Sequence, residues 1–294
     1  HFQLEVLAVA PEGTGGDPAF VTRTTQDALG NLYDALVAPL AGRLPDAGQL
    51  YIVPHRFLHA VPFECLWDGR DYIDERYTLR RCPTAEFLLR PRRRASRKSG
   101  DRVGEAAQAV LVAGIVTGGP ASVEAEIEAV AGQFPRRAVR LLRDPTSAEL
   151  LGALGDAQLV HLSTHGVFRE DNPLLSRLRT ADGAIFLADV LDRRLTADVV
   201  VLSACSSGQV FTGAGDDLSG VAHGFLAAGA RRLVASLWRV HDAATRQLME
   251  RFYIHYRRGE AAGDPAEALR MAGRELRAQW PHPFFWGSFC TFGE

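Results

Sequence analysis

The chain has 294 residues, 47% of them hydrophobic, and 33 Lys plus Arg against 35 Asp plus Glu leave a net charge of -2. That content supports one large or two modest α/β cores, while the charge balance supplies no global field for holding a nucleic-acid backbone or an anionic membrane. The apolar runs are too short to span a bilayer, and the N-terminus lacks the basic-then-apolar layout of a signal peptide, so a cytoplasmic protein without nucleic-acid or direct membrane partners is expected.

Residues 24 to 41 place Leu29, Leu32, Leu36 and Leu40 at helical spacing, and Gln49 to Pro54 reads as a strand. A turn-rich patch follows around Trp67-Asp-Gly-Arg. From Arg90 to Lys98 the sequence is basic, polar and free of apolar periodicity, as a solvated linker is, and no aromatic residues interleave it as in a nucleic-acid site. A boundary is expected there, dividing the chain into an N-terminal α/β part with its linker, 1–100, and a second part, 101–294. The chain begins at His1 rather than Met, and a natural N-terminal extension is expected to be missing.

Beyond the linker, strand-length apolar runs at Ala109 to Ile115, Gln158 to Ser163, Asp198 to Ala204 and Arg232 to Leu237 alternate with helical stretches. Those stretches are Ala121 to Gln133, Ser147 to Leu154, Leu218 to Ala228 and Ala243 to Arg257. Ala266 to Ala278 supplies a further helix, and Phe284 to Phe292 reads as a last aromatic-rich strand. Alternation of this kind implies an α/β fold with a mostly parallel sheet sandwiched by helices.

In such a sheet, reactive residues gather beyond the carboxyl ends of the strands. Two strand exits carry them: His161-Leu-Ser-Thr-His165-Gly offers a base, and Leu202-Ser-Ala-Cys205-Ser-Ser-Gly a nucleophile. A thiol attacks as thiolate, which a neighbouring imidazole favours near neutral pH, and the amides of Gly166 and Cys205 could aim at the oxygen of a tetrahedral intermediate. No residue is placed by the sequence to orient the imidazole from its other side, so His165 and Cys205 are read as a dyad.

These two segments resemble the catalytic motifs of the CHAT family, caspase-like cysteine peptidases of the clan that includes caspases and separase. Leu50-Tyr-Ile-Val-Pro, Ala60-Val-Pro-Phe-Glu, Asn172-Pro-Leu-Leu, Gly215-Asp-Asp-Leu, Phe225-Leu-Ala-Ala-Gly-Ala, Ala235-Ser-Leu-Trp and His282-Pro-Phe-Phe-Trp resemble family segments in the same order. The resemblance implies a caspase-like fold whose N-terminal part is a degenerate, non-catalytic subdomain. It also implies an endopeptidase acting on a protein substrate, regulated by a partner protein or a fused sensor or repeat domain in bacterial defence or signalling. Ser236, Leu237, Trp238 and Arg239 would form the docking edge for an extended substrate. Asp216 and Asp217 would supply an acidic pocket floor for a basic residue before the cut.

Blander readings stand beside these. Asp216 or Asp217 can simply cap the helix near Leu218, and Trp238 can be core. Cys65, Cys82 and Cys290 are read as buried small hydrophobes. His161 and His165 lie roughly 13 Å apart along an extended strand, too far to share a metal, so His161 is expected to be a hydrogen-bonded residue beneath the site. His223 and His241 are read as surface or capping residues. The stretch Gly213-Ala-Gly-Asp-Asp lacks the spacing of a phosphate or dinucleotide loop, so no cofactor or metal is expected. The loop from Ser206 to Gly215, with three glycines, is expected to become ordered with substrate. Two other functions remain open: a catalytically silent docking platform, and a hydrolase using Ser206 or Ser207.

Overall fold

A computed structural model describes residues 17–85, 109–118, 121–167, 169, 172–206, 216–238, 240–258 and 261–293. Residues 56–57, 121, 204–206 and 216–220 enter by their backbone alone. The expected linker Arg90 to Lys98 and most of the loop after Cys205 lie outside the described residues.

The chain enters through helix α1 (Pro18–Leu36), whose first turn is capped by the Asp17 carboxylate accepting from the Ala19 amide. Strands β1 (Gly48–Ile52) and β2 (Tyr77–Arg81) follow, then β3 (Val110–Gly114), α2 (Ala121–Gly132), β4 (Val139–Arg143), α3 (Ser147–Leu154) and β5 (Leu159–Val167). A hairpin of β6 (Arg177–Thr180) and β7 (Gly183–Phe186) precedes α4 (Leu187–Leu191), β8 (Val199–Ser206), α5 (Asp216–Ala228) and β9 (Arg232–Ser236). The chain closes with α6 (Asp242–Arg257), α7 (Pro265–Arg277), α8 (Pro283–Trp286) and β10 (Phe289–Gly293).

All the strands of the described residues join one sheet, ordered β1-β2-β10-β9-β8-β5-β3-β4, with β6 added to β5 and β7 to β6. β4, β3, β5, β8 and β9 run parallel, and β10 reverses against β9. β2 and β1 then run parallel to β10, so the N-terminal strands extend the same sheet. Strands buried on both faces need unbroken apolar runs, which is why β3 and Val199-Val-Val-Leu carry little else.

Crossovers place α2 and α6 on one face, where α6 also packs on α7, and α4 against α5 on the other. Thr146 and Glu149 form a reciprocal capping box at α3, the Glu149 amide donating to Thr146 Oγ1 and the Thr146 amide to Glu149 Oε2. The span read as one strand near the C-terminus divides into α8 and β10, because Pro283 opens a short helix that His282 caps. β2, β4 and the hairpin strands were not expected from periodicity.

A candidate catalytic pair at the sheet edge

β5 and β8 are neighbouring parallel strands, matched residue for residue from Leu159 with Val199 to Gly166 with Ser206. His165 pairs with Cys205 in that register. Register partners lie on the same face of a sheet, with strands about 4.8 Å apart, so the two positions stand side by side where both strands end.

The His165 ring is partly buried, and its Nδ1 atom is enclosed with no hydrogen-bond partner among the described residues. No described carboxylate therefore fixes the imidazole from behind. The Cys65 and Cys290 thiols are fully buried. Burial pushes the Cys65 thiol well above its ordinary range and the Cys290 thiol up to about 12, which keeps both protonated and unreactive.

Below His165, alternation puts His161, Ser163 and His165 on one face of β5. His161 is fully buried, with Nε2 3.1 Å from Glu126 Oε1 and Nδ1 3.0 Å from the Tyr253 hydroxyl. Ser163 Oγ donates to Glu126 Oε2 at 3.0 Å. Nε2–H donating to the carboxylate, with the Tyr253 O–H donating to Nδ1, satisfies every group. Both ring nitrogens are thus engaged within the core, the hydrogen-bonded role expected of His161. Glu126 and Tyr253 were missed in the sequence. A signal exists for the first: Glu126 occupies the buried stripe of α2 formed by Val123, Ile127 and Val130.

Gly166 is buried between Ser206 of β8 and Leu178 of β6. Ser236 ends β9, the strand on the far side of β8, and Leu237 donates its amide to Ser288 O at 2.7 Å. Trp238 is 6% exposed and its indole N–H donates to Phe284 O at 3.2 Å, which is a packing role. Arg239 lies outside the described residues. Helix α5 begins at Asp216, so Asp216 and Asp217 both fall in its first turn rather than before it. His241 caps α6, its Nδ1 accepting from the Ala244 amide.

Among known proteins, the CHAT domain model matches residues 26–294. The mouse protein named tetratricopeptide repeat protein 28 is 26% identical, with 98% of this chain but 14% of that protein covered. Its human counterpart is 24% identical over 96% of this chain and 14% of its own length. The chain therefore spans about one-seventh of these curated relatives. The fold is similar to that of separase in the Saccharomyces cerevisiae separase–securin complex, with a TM-score of 0.56, 14% identity, and 83% of this chain and 15% of that one covered. The Arg-specific cysteine proteinase gingipain R also matches, at TM-score 0.56 and 12% identity, covering 94% of this chain and 68% of its own.

Proposed function

The chain belongs to the CHAT domain family, and we propose that it is a cysteine endopeptidase in which Cys205 is the nucleophile and His165 the general base. The register pairing of these two residues at adjacent parallel strand exits carries the reading.

His165 takes the thiol proton, and the sulfur attacks the carbonyl carbon of the scissile peptide bond. The amides of Gly166 and Cys205 receive the oxyanion of the tetrahedral intermediate. His165 then protonates the leaving amine, the C–N bond breaks, and a thioacyl-enzyme remains. Water, deprotonated by the same imidazole, releases the acid and restores the thiol. The enclosed Nδ1 without a described partner supports a dyad over a triad.

Substrate would approach as an extended strand along Ser236 to Arg239, with backbone pairing supplying affinity. Asp216 and Asp217 would attract a basic residue before the cut. Control by a partner protein or a fused repeat domain, in signalling or bacterial defence, completes the reading. The repeat-protein relatives, and the securin bound to separase in the matched complex, support a protein partner. None of the described helices is long and apolar enough to cross a membrane; a cytoplasmic location is part of the proposal. So is the division into a non-catalytic part, 1–100, and a catalytic part, 101–294.

The test is a survey of newly formed protein ends in cells or lysate supplied with the chain or with Cys205→Ala. Ends that appear only with the native cysteine support the peptidase. If neither chain produces them while Cys205 still alkylates, the docking-platform reading replaces it.

A further inference from the structure

Strand β6 occupies the side of β5 opposite β8, above the end of β3. β3 pairs with β5 as far as Ser163, and β6 takes over with Leu178 opposite Gly166 and Arg177 opposite Val167. One further step of that antiparallel register sets Arg179 opposite His165. The Thr164 hydroxyl donating to Arg179 O at 2.9 Å holds the strand at this point. Alternation leaves Leu178 and Thr180 buried and turns Arg177 and Arg179 outward, on the face that carries His165 and Cys205.

The hairpin is pinned by buried Thr180 and by exposed Asp182 in its turn. Thr180 Oγ1 lies 2.9 Å from both Ser147 Oγ and Asp182 Oδ1, and the Ser147 amide donates to Asp182 at 2.8 Å. The arginine side chains take no part in this anchoring, and neither forms an ion pair with a described carboxylate. The Asp144 carboxyl, held below its ordinary range first by its hydrogen bonds from Thr117, also feels the Arg179 charge. Its carboxylate is already engaged by the Val116 amide and by the amide and hydroxyl of Thr117. An Arg179 guanidinium nitrogen lies 3.6 Å from where a Cβ on Gly118 would stand, so the charge rests over an open glycine turn. Two exposed arginines thus stand on the strand beside His165, Arg179 opposite it in register and Arg177 opposite Val167, in a chain whose net charge is -2.

We infer that Arg177 and Arg179 form a subsite for an acidic side chain on the leaving-group side of the scissile bond. The inference rests on the proposed peptidase reading. In that reading His165 protonates the departing amine, so the residues after the cut must lie on the His165 side of Cys205. β6 is the next strand in that direction. Carboxylates match the forked guanidinium donors, and a basic residue there would meet like charge.

The experiment measures alkylation of Cys205 by iodoacetate and by iodoacetamide at low ionic strength, following the Cys205 peptide by mass spectrometry. Thiol alkylation proceeds whether or not the chain cleaves peptides, so the ratio of the two rates reads the arginine field independently of turnover. In Arg177→Gln/Arg179→Gln the iodoacetate-to-iodoacetamide ratio should fall by roughly three- to tenfold, because the screening length is then about 30 Å. Arg177→Lys/Arg179→Lys should restore most of it. In the survey of new protein ends, Asp and Glu should be enriched after the cut with the native chain and lose that enrichment with the Gln variant. An unchanged ratio, or cleavage after which acidic residues are no more frequent than chance, overturns the subsite; absence of all new ends overturns the peptidase reading while leaving the ratio interpretable.

Discussion

His161 of β5 and Glu126 of α2 form a buried hydrogen-bonded pair, Nε2 to Oε1 3.1 Å, one alternation beneath Ser163 and two beneath His165. Glu126→Ala would leave the His161 N–H and the Ser163 O–H without an acceptor in a region that water does not reach. Each such loss costs about 1–3 kcal/mol, so the variant should be less stable by about 2–6 kcal/mol. Glu126→Gln, which keeps one acceptor in place, should cost less. Urea unfolding followed by circular dichroism reads both; a cost for Ala below about 0.5 kcal/mol would mean the contact contributes nothing net.

A second histidine gives the fold a pH dependence. His282 Nδ1 accepts from the Phe284 amide at 3.1 Å and its Nε2 lies 2.9 Å from Thr25 Oγ1, so the neutral ring donates to the threonine. Burial lowers its pKa to about 4, against an ordinary value near 6.5. The unfolded chain therefore binds a proton that the folded chain refuses. The stability from this group is complete above about 6.5 and is lost as pH falls toward 4, by up to about 3 kcal/mol. Asp74, raised to about 6 by burial, acts in the opposite direction, losing stability as pH rises through that value. Comparing wild type with His282→Asn cancels the Asp74 contribution: the gap between the two should narrow steadily from pH 6.5 to pH 4. Parallel curves would contradict the assignment.

Limited proteolysis addresses the proposed division. Cleavage should occur first between Arg90 and Lys98, and the two fragments should stay together on gel filtration. β2 is held between β1 and β10. Arg277 pairs with Asp74 and with Glu75, Arg80 with Asp264, and Arg270 donates to Asp74 O at 3.0 Å. Thr25 meets His282 across the same seam. Fragments that separate without denaturant would show that this seam does not hold the parts together.

Much of the second half was legible because local pattern and tertiary environment agree there. The sequence pattern places Ser147–Leu154 at its observed bounds and β3, β5, β8 and β9 within a few residues of theirs, since fully buried parallel strands require apolar runs. It does not mark β2, because Tyr77-Thr-Leu-Arg-Arg places Arg80 and Arg81 in buried positions. Their partners, Asp264 and Glu64, lie elsewhere in the chain and only the fold brings them near. β4 likewise carries Arg140 and Arg143 on a half-exposed edge, where alternation weakens. β6 and β7 have four residues each, too few for a period to register. At the site, strand-exit chemistry marked His165 and Cys205, whereas Arg179 could be placed beside them only through the register of β6 on β5.

The most direct test of the Cys205–His165 dyad is the pH dependence of Cys205 alkylation by iodoacetamide, in wild type and in His165→Ala. The wild-type rate should reach its plateau below the ordinary thiol range near pH 8.5. In His165→Ala the midpoint should rise to about 8.5 or above, with the rate at pH 7 falling at least about tenfold. Superimposable profiles for the two proteins would contradict the dyad.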